Sequence, residues 1–171
     1  TGTTCVQDVG GPHMDSVGQA LSDFGMRGVL SDNGVDSFPS DLRESRAVAP
    51  ERARAMTTEA VLAQEEALYR RWHGAAGGRI RFAYGILRDF QASEELFKGI
   101  KSLADKGGTH IQMHTSVSEE RVEWMRNRRG YTPVEYLHNI GVLDSNWLLI
   151  HAVFLTDREV DLCVKYDVRL S

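Results

Sequence analysis

The feature that most constrains this chain is an unbroken alternation of strand-like and helix-like segments. Residues 2–8 (GTTCVQD) are rich in Thr and Val and read as a strand. Met14, Val17, Leu21 and Phe24 then recur at helical spacing, with Gly25 placed to stop the helix. Residues 28–31 form a short strand, and a long helix is expected over residues 57–72, with Val61, Leu68 and Trp72 on one side. The next strand is residues 79–85. Ser93 caps a helix whose Leu96, Phe97, Ile100, Leu103 and Ala104 make one stripe, ended by Gly107. Residues 109–115 are a strand, and Ser118 opens another helix. Thr132-Pro133-Val134-Glu135 is a capping box with proline at the first helical position, closed by Gly141. Residues 147–154 form a continuous apolar strand of the kind buried on both faces. Thr156-Asp157-Arg158-Glu159 is a second capping box, and residues 167–170 begin one more strand.

Six strands separated by helices are the signature of a parallel α/β sheet. An eight-fold barrel takes about 250 residues, whereas this chain has 171. It begins at a strand and stops inside one, which would leave two unpaired sheet edges, so a fragment is expected. The net charge of −4 argues against a nucleic-acid or anionic-membrane surface. The small basic groups (Arg52/Arg54, Arg70/Arg71, Arg126/Arg128/Arg129) read as solvated faces or helix C-termini. The longest apolar stretch, residues 147–155, is too short to cross a bilayer and is interrupted by His151. Cys5 and Cys163 lack any Cys-x-x-Cys pairing and read as buried free thiols of a reduced, cytoplasmic protein.

Two stretches imitate function. Residues 74–78 (GAAGG) run from a helix into a strand, the reverse of a phosphate-cradling loop, and read as a flexible connector. Residues 33–56, with Pro39 and Pro50, are a long insertion between a strand and its helix, either a lid over the strand ends or a passive surface loop.

The informative residues are His114 and His151. Each lies near the C-terminal end of a strand, in Ile111-Gln112-Met113-His114 and Leu148-Leu149-Ile150-His151. Either one alone reads as a core histidine with satisfied nitrogens. As a pair on successive strand ends they read as two ligands converging on one metal in a shared mouth.

The run from His114 to Glu120, then Gly130-Tyr131-Thr132-Pro133-Val134-Glu135-Tyr136-Leu137, Gly141-Val142-Leu143 and Leu148 to Leu155 resembles the fifth-to-sixth-strand segment of the amidohydrolase superfamily. It is most similar to the branch of chlorohydrolases, guanine deaminase and adenosine-type aminohydrolases. Residues 1–8 resemble that branch's second strand and residues 25–30 its third. The resemblance implies a partial (β/α)8 TIM barrel, about strands 2 to 7, truncated at both ends and forming one incomplete domain over residues 1–171. It implies one divalent metal, zinc with iron as the alternative, held by His114 and His151. The first-strand His-x-His and the eighth-strand Asp of the family would lie outside this chain. Residues 79–89 contain no lysine to carboxylate, which favours a mononuclear site.

One departure matters. The branch carries His-x-x-Glu, the glutamate moving protons between water and leaving group, and Val117 stands at that position. Glu119 and Glu120 read instead as charges at a helix start. His13, Asp32 and Arg88 follow the second, third and fourth strands and are the substrate-binding candidates, against a solvated loop role for each. The function implied is a metal-dependent hydrolase acting on a C–N bond of a nitrogen-rich small molecule. The alternatives are cleavage of a halide, amide or urea-type bond in the same fold, or a non-catalytic barrel relative. The expected partner is a small-molecule substrate, with neither nucleic acid nor membrane, and self-association of the full-length protein is left open.

Overall fold

The computed structural model describes residues 2–11, 13–41 and 56–171. The chain runs β1 (Cys5–Gln7), α1 (Met14–Asp23), β2 (Arg27–Leu30), α2 (Thr58–Trp72), β3 (Ile80–Phe82) and β4 (Tyr84–Arg88). It continues with α3 (Glu94–Gly107), β5 (Ile111–Thr115), α4 (Glu119–Arg129), α5 (Pro133–Asn139), β6 (Trp147–His151), α6 (Asp157–Lys165) and β7 (Arg169–Leu170). Every strand pairing among the described residues is parallel, in the orders β1-β2-β3 and β4-β5-β6-β7.

The two ladders belong to one curved sheet. β3 and β4 are a single passage of chain interrupted only at Ala83, whose N–H still donates to Leu30 O at 2.8 Å. The first half pairs with β2 and the second with β5. The strand expected to end at Gly85 therefore continues to Arg88, so Arg88 is its last residue and does not follow it. Polar contacts on the inner face reveal the curvature. Gln7 of β1 donates to Gln112 Oε1 of β5 at 2.7 Å, and Gln112 donates to Asp8 O at 2.8 Å. In a flat sheet these strands would stand three spacings, about 14 Å, apart. The sheet curls until they meet: the fold is α/β, a partial (β/α)8 barrel.

The core fills the space between the outer face of the sheet and the helices. Ile111, Met113, Trp147 and Leu149 point that way and are buried, together with Leu96, Phe97 and Ile100 of α3. β6 is buried on alternate residues only, Leu148 and Ile150 being half-exposed on the inner face, contrary to the expectation of burial on both sides. β6 also ends early. His151 (φ 73°) and Ala152 (φ 48°) adopt left-handed backbone, which terminates the ladder three residues before Phe154. The Thr132 and Thr156 capping boxes form as the sequence dictates.

Residues 74–78 make a tight turn with Ala76 and Gly77 left-handed, and Gly74 N–H donates to Ile80 O at 2.9 Å. Cys163 is buried, but Cys5 is exposed, correcting the expectation of two buried thiols. It lies on β1, where alternation puts Cys5 and Gln7 on one face and only Val6 packs against the core. No helix among the described residues is long and apolar enough to cross a membrane. Of the insertion read as a lid or surface loop, residues 42–55 lie outside the described residues, and so do Arg52 and Arg54.

Candidate metal centre

His114 is the fourth residue of β5, on the inner face with Gln112 by strand alternation. Its Nδ1 lies 3.1 Å from Leu87 O. A carbonyl only accepts, so Nδ1 carries the proton and Nε2 keeps its lone pair toward the mouth. Burial holds the imidazole's pKa below its ordinary value; the Leu87 carbonyl opposes this, while His151, Arg88 and Arg121 add to it.

His151 ends β6, in register with Thr115. By alternation it belongs to the side of Trp147 and Leu149, under the helices. The left-handed turn at its own φ breaks that pattern, and its ring centroid stands 5.3 Å from that of His114, tilted by 34°. Such a backbone costs a non-glycine residue on the order of 1–3 kcal/mol and persists only where its surroundings hold it. Ala152 N–H donates to Thr115 O and Phe154 N–H to Ser116 O, at 3.1 and 3.0 Å, tying the turn to the end of β5.

The end of β5 is itself held by a residue not singled out in the sequence. Asp89, fully buried just after β4, accepts from Thr115 Oγ1 at 2.8 Å, Ser116 N–H at 3.1 Å and Phe90 N–H at 2.9 Å. Burial raises its pKa, and these hydrogen bonds work against that rise. The sequence reading ended that strand at residue 85, four residues short of Asp89, so no strand-end signal marked it. Val117 follows Ser116 half-buried in the loop before α4, while Glu119 and Glu120 stand exposed in the first turn of that helix.

A cavity of about 500 Å³ lies on the same strand ends, lined by neither His114 nor His151. His13, left-handed at φ 68° ahead of α1, and Asp32, following β2, both line it. Leu87 lines it too, so the residue that orients His114 also forms part of this wall. Arg88 does not line it; it sits at the end of β4 in register with His114 and approaches Gln91 Oε1 at 3.4 Å. Asp32 is only 8% exposed; Asn33 N–H donates to its Oδ1 at 2.8 Å and Gln64 Nε2 to its Oδ2. Behind it Glu65 of α2 is fully buried, its Oε1 taking a long bond from Gly85 N–H (3.4 Å) and its Oε2 taking none. Burial and the neighbouring Asp32 push its pKa well up. The signal that could have found Glu65 is its place four residues after Val61 and three before Leu68, on the apolar stripe of α2, where its neighbours Gln64 and Glu66 do not fall. Among the described residues no three potential metal ligands cluster, so the two histidines stand as a pair.

The Amidohydrolase family model matches residues 1–171. The chain belongs to the amidohydrolase family. Its curated relatives include a 5'-deoxyadenosine deaminase from Methanopyrus kandleri, 33% identical over this whole chain and 36% of the relative. Another is a 5-methylthioadenosine/S-adenosylhomocysteine deaminase from Desulfitobacterium hafniense, 27% identical over the whole chain and 36% of that protein. Among solved structures, an atrazine chlorohydrolase from Arthrobacter aurescens complexed with zinc superposes with a TM-score of 0.82 at 20% identity. That match covers 99% of this chain and 38% of the chlorohydrolase. Guanine deaminase from C. acetobutylicum superposes at 0.79 with 16% identity, covering 99% and 39%. The chain thus spans little more than a third of the amidohydrolases it matches.

Proposed function

We propose that this chain is part of a single barrel domain of a metal-dependent hydrolase acting on a C–N bond of a nitrogen-rich small molecule, with His114 and His151 as two ligands of one divalent ion, zinc. The observation that carries the reading is the spacing of the two imidazoles. Two histidines on one tetrahedral zinc, with Zn–N of about 2.0–2.1 Å, put their ring centres about 5.2 Å apart, and these lie at 5.3 Å. The Nδ1–H···O bond to Leu87 is the outer-shell arrangement that presents Nε2 to a metal. When bound, such an ion lowers the pKa of a water and polarises the bond under attack. The residues of this chain do the remaining work. Leu87 O fixes the tautomer of His114, Asp89 holds the β5 end, and His13, Asp32 and Arg88 bind and orient the substrate. Family membership and the deaminases among the relatives support the C–N specificity, and the zinc in the chlorohydrolase supports the metal. The two unpaired thiols fit a reducing, cytoplasmic setting.

A second reading, cleavage of a bond whose leaving group needs no proton, such as a halide, is favoured by Val117. An apolar side chain there transfers no proton to a departing amine. Metal content and turnover of the full-length protein on aminated and chlorinated heterocycles test both readings. Unchanged zinc content in both His114→Ala and His151→Ala would refute the metal assignment, and turnover of the chlorinated compounds alone would select the second reading.

A further inference from the structure

The cavity lined by His13, Asp32 and Leu87 has a chemical bias that the hydrolase reading does not require. Its walls are apolar at Met14, Val35, Phe38 and Leu68. Its polar side chains include two carboxyl groups, Asp15 and Asp32, beside His13, Ser16, Gln64 and Gln91. Among the described residues, the carboxyl group of Asp32 meets two neutral donors, Asn33 N–H and Gln64 Nε2. Asn33 also lines the cavity, while its Oδ1 is buried beneath the surface with no hydrogen-bond partner among the described residues. Asp15 lines the cavity as well, but its charge is met by Arg71 at 2.9 Å, and it also accepts from Trp72 Nε1 at 2.8 Å. Among the described lining residues there is no lysine or arginine. A buried carboxylate without a cation is costly, and a bound cation offsets that cost. Glu65, packed behind Asp32, offers no compensating charge. Burial and the neighbouring Asp32 both raise its pKa.

We propose that this cavity is a cation-selecting subsite, in which Asp32 receives the N–H groups of an amidinium, guanidinium or ammonium function carried on an apolar body. The proposal rests on the reading of the strand ends as a substrate-binding mouth, but not on the metal. A planar amidinium suits it because its two N–H donors match a carboxylate fork.

The test is calorimetric binding of benzamidine and its neutral isostere benzamide to the full-length protein at pH 7.5. Wild type is expected to bind benzamidine at least about 30-fold more tightly, the lower end for a desolvated charge pair. Asp32→Asn should bring the ratio to within about threefold, and Asn33→Asp, which adds a charge to the same wall, should raise it. His114→Ala should lose metal and hydrolysis yet keep the ratio, which separates failure of the metal reading from failure of this one. Equal binding of the two probes by wild type, or a preference that survives Asp32→Asn, overturns the proposal. If circular dichroism shows that Asp32→Asn does not fold, Asn33→Asp decides, and no gain in the ratio overturns it.

Discussion

Replacing Gly85 with alanine should damage the fold and the histidine site together. A Cβ at Gly85 would lie 1.8 Å from Asp32 O and 2.3 Å from Ser31 Oγ, so β4 and the segment after β2 must part by more than 1 Å to reach even a tight contact. That seam is held by Gly34 N–H to Gly85 O and Leu87 N–H to Gly34 O, both 3.1 Å. Each backbone bond is worth about 0.5–1.5 kcal/mol, and overpacking in a close-packed interior costs about 1–3 kcal/mol. The expected loss is therefore about 2–6 kcal/mol. Because Leu87 O also orients His114 at 3.1 Å, zinc affinity should fall in the same variant, by about 10–100-fold. Gly11→Ala is the control, since a Cβ there meets nothing within 4 Å, and it should stay within about 0.5 kcal/mol of wild type. The assay is guanidinium denaturation of the metal-free full-length protein, with zinc titration alongside. A Gly85→Ala protein within about 1 kcal/mol of wild type and with unchanged zinc affinity would refute the reasoning.

Glu65→Gln should stabilise the protein at neutral pH. The folded state raises this carboxyl's pKa, so above its ordinary value of 4.5 the unfolded chain loses the proton first and wild-type stability falls as pH rises. The variant's advantage should be absent below that value and grow above it, and a pH-independent difference in denaturation midpoint would contradict this. Val117→Glu should raise deaminase turnover of the full-length protein, within the roughly 10²–10⁴-fold that general acid–base help supplies; robust wild-type deamination left unchanged by the substitution would show that another group moves the proton. Thr156→Ala removes the hydroxyl that accepts from Glu159 N–H at the start of α6 and should cost about 1 kcal/mol, read as a shift in denaturation midpoint.

The fold was legible because its signals are local. Alternating periodicities, the Thr132 and Thr156 capping boxes and the glycine stops each act within a few residues, and they located the helices closely. The strand ends were less legible. β6 was expected to run to Phe154, yet it stops at His151 because the backbone there turns left-handed, a choice that no apolar run records. Cys5 was expected inside and is exposed, because burial on β1 depends on which face of an outermost strand is covered.

By itself the sequence determined a parallel α/β chain, the order of its strands and the presence of a histidine at the end of two consecutive ones. Only the tertiary structure decided how those histidines relate. Strand alternation would send His151 under the helices with Trp147 and Leu149, and it is the positive φ at that residue, held by hydrogen bonds from the following turn to Thr115 and Ser116, that brings its ring to 5.3 Å from His114. The burial of Asp89, Glu65 and Asp32 was decided in the same way, although the sequence had marked Asp32 by its place after a strand and Glu65 stands on the apolar stripe of α2. Each is an acidic residue like many on the surface, and what sets it apart is burial among groups distant in sequence: Asp89 against Thr115 and Ser116, Glu65 against Gly85, and Asp32 against Gln64. A local pattern encodes which face of an element is apolar. Which polar group loses its water when those faces meet is set by the packing of the whole sheet and its helices.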